Sequence, residues 1–169
     1  MKIMSEEETS IELGRDQLAS QLLSYWKAHQ KTVSGYSVPT RSSVQTILAR
    51  RLAGLLCREG GCWIQITNWN SGPNSNLDLF YGYRTGLGET RSLAEASVHY
   101  ASPDEKDQAA SIISMIFYFG WDAWIFDKQG TYLVDLSNDE IMEFTTDSDA
   151  LRNALSSHLL DLGMSALDR

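Results

Sequence analysis

Long apolar runs are missing from this sequence; none approaches the roughly 20 residues that a membrane-spanning helix needs. The opening stretch, MKIMSEEETSIELG, carries acids where a secretory signal would carry its apolar core, so no export signal is read there. Cysteine is nearly absent. Cys57 and Cys62 are too few for a disulfide framework and lack the further ligands of a zinc site. Both are expected as reduced thiols, one at a helix end and one at a strand start, and a cytoplasmic protein is the simplest fit. With three prolines and no long Pro, Gly or Ser tract, the chain offers no linker, and no repeat or low-complexity stretch divides it. His29, His99 and His158 fall in three separate elements without metal-ligand spacing. No G-x-S-x-G turn, H-E-x-x-H helix or G-x-x-x-x-G-K-[ST] loop occurs, so neither cofactor nor metal is expected.

Positive charge is scarce too, and unevenly so. The net charge is −8, from 22 acids against 14 bases. Residues 1–100 hold 9 acids and 10 bases, whereas residues 101–169 hold 13 acids and 4 bases. A field of that sign repels nucleic acid and anionic membranes and speeds encounter with a basic partner. Arg41, Arg50, Arg51 and Arg58 make a small basic side on one helix, far short of the patch that DNA binding requires. The glycines of GYRTGLGETR (82–91) suit a hairpin connection better than a phosphate loop, because no clear helix follows them.

What is present describes one folded unit. At 169 residues, 43% hydrophobic and 21% charged, the chain has an ordinary globular composition and can bury about 70% of its unfolded surface. Residues 1–12 are acidic and expected to be disordered; residues 13–169 form a single domain. Leu18, Leu22, Tyr25 and Trp26 mark an amphipathic helix over 15–30, and KTVSGYSVPT reads as a loop. A second helix, with Leu48, Leu52, Leu55 and Leu56 on its stripe, runs over 42–58. The period then becomes two in CWIQITNW (62–69) and LDLFYGY (77–83), which flank the turn NSGPNSN as a hairpin, and LAEASVHY is read as a third strand. Ser102, Pro103 and Glu105 cap a helix ending at Gly120. A meander follows (WDAWIFD, TYLVDL, IMEFTT), and a last helix from Ser148 stops at Gly163. The fold class is α+β: a mainly antiparallel sheet of five or six strands packed with four helices, in the order ααβββαβββα.

The densest chemistry is DLSNDEIMEF (135–144). It is no EF-hand, because Glu140 occupies the glycine position and Thr146 the twelfth. Asp139 and Glu140 at a hairpin tip are no catalytic pair, since water would keep both ionised. Ser137, Asn138 and Asp139 read as a turn. Around it, acids recur at the ends and polar faces of one meander. The candidate partner-binding residues are Asp122, Trp124, Asp127, Tyr132, Asp135, Asp139, Glu140 and Glu143, with no catalytic and no metal residue. On CWIQITNW the face of Trp63 and Trp69 is either covered by a helix or a contact surface. The function expected is that of an acidic domain that neutralises or escorts a basic protein partner. In size, charge and topology this is similar in kind to toxin-immunity proteins and secretion chaperones, a likeness of profile without a shared motif. One alternative is a homodimeric adaptor joined through the aromatic strand face. Another is an enzyme or small-ligand binder with a pocket between sheet and helix, using His99, Arg84 and nearby acids.

Overall fold

The structure is a computed structural model, and it describes residues 1–14, 33–69, 77–164 and 166–167. The helix expected over 15–30 and the turn NSGPNSN lie outside these residues. Among the described residues all strands join one antiparallel sheet. In chain order they are β1 (Lys2–Met4), β2 (Val33–Ser37), β3 (Cys62–Asn68), β4 (Val98–Ala101), β5 (Asp122–Phe126), β6 (Tyr132–Ser137), β7 (Ile141–Thr146) and β8 (Ala166–Leu167). Their order across the sheet is β1-β4-β3-β5-β6-β7-β2-β8. The helices are α1 (Glu6–Leu13), α2 (Ser42–Leu56), α3 (Leu77–Gly86), α4 (Lys106–Phe119) and α5 (Asp149–Leu160), with a 3-10 turn at Pro103–Glu105 before α4. The fold is therefore α+β as expected, with eight strands rather than five or six, and five helices among the described residues.

Two periodicities build the main core. Alternation along the strands sends Ile64, Ile66, Ala123, Ile125, Val134, Leu136, Met142 and Phe144 to one face of the sheet. Helical spacing sets Leu48, Leu52 and Leu55 of α2 and Ile112, Ile113 and Ile116 of α4 against it. Leu155 and Leu159 of α5 join from the side. The second face carries a smaller cluster: Met4, Leu13, Trp63, Val98, Phe126 and Leu133. Trp63 is thus buried under α1 and β1, and Gln65 beside it is bonded to Glu6 at 2.8 Å.

Four sequence expectations need correction. Residues 77–83 are helical, because Leu77, Phe80, Tyr81 and Arg84 recur at i, i+3, i+4 and i+7, so Phe80 and Arg84 face inward. The alternating tyrosines had masked that period. Val33–Ser37, expected as a loop, pairs with β7 along its whole length. The N-terminus is ordered: β1 pairs with β4, Ser5 and Glu8 form a capping box on α1, and Gly14 closes it at φ 66°. Arg91 then clamps Glu8 at 2.9 Å and the Ile3 carbonyl at 3.1 Å. Finally, Cys57 and Cys62 are joined in a disulfide, with Cα atoms 4.6 Å apart, not free thiols.

Candidate functional site

The eight candidate residues divide among three places. Two of them serve the fold at one end of the meander. Asp127 is buried in the β5–β6 turn, where its carboxylate accepts from the Thr131 N–H at 2.7 Å and from the Thr131 hydroxyl. Tyr132 is 4% exposed and donates its hydroxyl to the Leu56 carbonyl at 3.1 Å. Neither side chain offers itself to a partner.

A second group lies on the second face of the sheet. Asp135 sits directly opposite Glu143 on β7 and beside Trp124 on β5. Burial raises the Asp135 carboxyl above its usual range, and the charges of Glu143 and Asp122 raise it further, against a hydrogen bond with Trp124 that lowers it. Like charges paired across strands oppose folding. Among the described residues no three His, Cys, Asp or Glu side chains gather to hold a metal ion.

The remaining acids gather at the opposite end, around the turn 137–140. Asp122 builds this turn rather than decorating it. One oxygen accepts from the Asn138 N–H at 2.6 Å, the other from the Asn68 amide at 3.0 Å. The Val38 N–H donates to the Glu140 carbonyl at 2.7 Å, tying the turn to the strand end of β2. Glu140 stands at φ 60°, a left-handed conformation that few residues other than glycine and asparagine take readily. Asp139 and Glu140 are held outward and exposed.

Beside this turn opens a cleft of about 350 Å³, bounded by the start of α2, the end of α4 and the turn itself, with Glu140 and Asn138 on one wall and Trp121 on another. A second hollow of about 300 Å³ continues from it between α2 and α4, sharing Ser42, Gln45, Tyr118 and Phe119 with the first. The second hollow is apolar: Leu79 and Met115 line it beside Tyr118. Tyr118 is 64% exposed and Leu79 58%. Together the two hollows form one groove, greasy at one end and acidic at the other.

Against protein-family models, curated proteins and solved structures, this chain matches none. Function is therefore argued from the groove alone. Sequence reasoning placed the acids of its rim and missed its walls. Leu79 fell within the segment expected as a strand, and Tyr118 was not singled out. In the fold both are exposed and line the same hollow. No helix among the described residues is long and apolar enough to cross a membrane.

Proposed function

We infer that this chain is a protein-binding domain rather than an enzyme, and that it takes a basic, partly apolar segment of a partner protein along the groove between α2 and α4. One observation carries the reading: the exposed rings and side chains of Tyr118 and Leu79 line a hollow that runs directly into the acidic turn of Asp139 and Glu140. An apolar side chain of the partner would cover Leu79, Met115 and Tyr118, where buried aromatic surface yields most of the affinity. Its lysine or arginine would sit beside Glu140, and the excess of acids in residues 101–169 would steer its approach. Such a domain neutralises or escorts its partner without changing it chemically. Trp63 is buried within the chain, so the aromatic strand face gives a homodimer little to grip.

The test begins with capture of partners on the immobilised full chain at low and high salt. The captured protein is then measured kinetically against two variants. Removing the charges with Asp139→Asn and Glu140→Asn is expected to slow association about tenfold at low salt and to flatten its salt dependence. Tyr118→Ala is expected to speed dissociation and leave association near its original rate. Unchanged rates in both variants would end the groove reading. The compartment goes with the same protein: a cytoplasmic chain keeps Cys57 and Cys62 as thiols, whereas the disulfide belongs to an oxidising environment. Alkylation of protein taken directly from cells separates the two.

A further inference from the structure

Beneath α3 lies charge that the protein buries without using its hydrogen-bonding capacity. Arg84 is wholly buried. Its Nη2 donates to the Ala96 carbonyl at 2.7 Å, and its Nε and Nη1 have no hydrogen-bond partner. His99 on β4 is equally buried; its ring faces the backbone of Ile64 and Ser97, though neither nitrogen makes a hydrogen bond of normal geometry. The two surround one ring. Phe80 meets His99 edge-on with centroids 5.8 Å apart, and the Arg84 Cζ stands 5.9 Å from the same ring. Glu89 feels the field of Arg84, but both of its oxygens are taken by Arg91.

A space-filling role does not account for this arrangement. Leucine or methionine would fill the same volume without the desolvation cost of a guanidinium, and buried polar groups are ordinarily satisfied. We propose that the unpartnered Nε and Nη1 of Arg84, beside the neutral ring of His99, form a buried binding site beneath α3 for a compact anion, an oxyanion or a carboxylate group. The planar guanidinium presents paired N–H donors that match two oxygens at once. Burial, and then the charge of Arg84, hold the His99 imidazole down to about 3 against the opposing backbone of Ile64 and Ser97, so it borders the site as a neutral ring that adds no charge of its own. Phe80 and Tyr81 wall the site, and a low-dielectric surrounding strengthens each bond formed in it. The site is one ring away from the groove. Phe80 packs edge-on against Trp121 at 5.0 Å, and Trp121, whose Nε1 also lacks a partner, lines the cleft.

The test uses the full chain, dialysed free of both probes, with inorganic phosphate and acetate titrated separately at constant ionic strength. Melting temperature and titration calorimetry are read for wild type and for Arg84→Lys, which keeps the charge and loses the fork. The expected result is a saturable rise in melting temperature with at least one probe, and an apparent Kd about tenfold weaker in Arg84→Lys. Response to phosphate alone assigns an oxyanion, and response to acetate assigns a carboxylate; Tyr118→Ala leaves either response intact, which separates this site from the groove. No saturable response to either probe in wild type overturns the proposal, as does an equal response in folded Arg84→Lys. Should Arg84→Lys not fold, the His99 ring resonances of wild type decide. They are expected to move with the same saturation as the melting temperature, and unmoved resonances overturn the site.

Discussion

Single residues here set pH behaviour in opposite directions. His99 is neutral in the fold, its pKa depressed to about 3 from 6.5. As pH falls below about 6.5 the unfolded chain takes up a proton that the folded chain refuses, so stability is lost by up to about 1.4 kcal/mol per pH unit on the way down. Urea unfolding followed from neutral to mildly acid pH is expected to show a shallower loss in His99→Gln than in wild type. Asp135 works the other way. Its folded pKa is raised above 3.8, so the ionised carboxylate opposes folding at neutral pH and ceases to do so once both states are protonated. Asp135→Asn is therefore expected to melt higher than wild type at neutral pH, with the gain disappearing as pH falls through the carboxylate range. That Asp135 and Glu143 fall on the meander's ends and polar faces was legible from the sequence, whereas their direct facing is set by the register of β6 on β7. The local consumption of Asp127 and Tyr132 was not legible, because it depends on Thr131 across a turn and on a Leu56 carbonyl 76 residues away.

At the scale of elements, the longer segments among the described residues followed their periods and the shorter ones did not. The helices at 42–56 and 106–119 and the three meander strands followed directly from their patterns. β1 and β2 escaped notice because three to five residues carry too little period to outweigh polar neighbours, and their pairing is supplied by distant β4 and β7. The link between α2 and β3 is a further case. Gly61 stands at φ 75°, and a Cβ there would lie 2.4 Å from the Ala101 carbonyl oxygen. Gly61→Ala is expected to cost about 2 kcal/mol or more in denaturant unfolding, from strain and displaced main chain together. The disulfide closing the same link spans a sequence separation of 5. Loop-entropy arithmetic gives it about 2 kcal/mol, so Cys57→Ala with Cys62→Ala is expected to lower stability by that amount and leave the circular dichroism spectrum unchanged.

Taken whole, the molecule sorts its features by end and by face. One end holds the acidic turn and the groove, the other the β5–β6 turn and the disulfide link. The charge asymmetry was readable in the composition. That Leu79 and Tyr118 would meet beside the acids was not, since it requires α3 and α4 to be placed by the fold. The sheet has two finished borders of unlike quality. At one, Lys2 extends over Glu12 at 2.9 Å, putting charge on the outer strand. At the other, among the described residues, β2 is covered by two, Ala166 opposite Tyr36 and Leu167 opposite Gly35. Those two residues act as a stopper on a polymerisable surface. A chain ending at Met164 would bare the main-chain donors and acceptors of Val33–Ser37 next to the exposed Val33 side chain, a template onto which another copy can add its own strand. Sedimentation of that shortened chain at rising concentration is expected to show growing assemblies where the intact chain keeps a constant mass, so its colloidal behaviour hangs on a pairing two residues long.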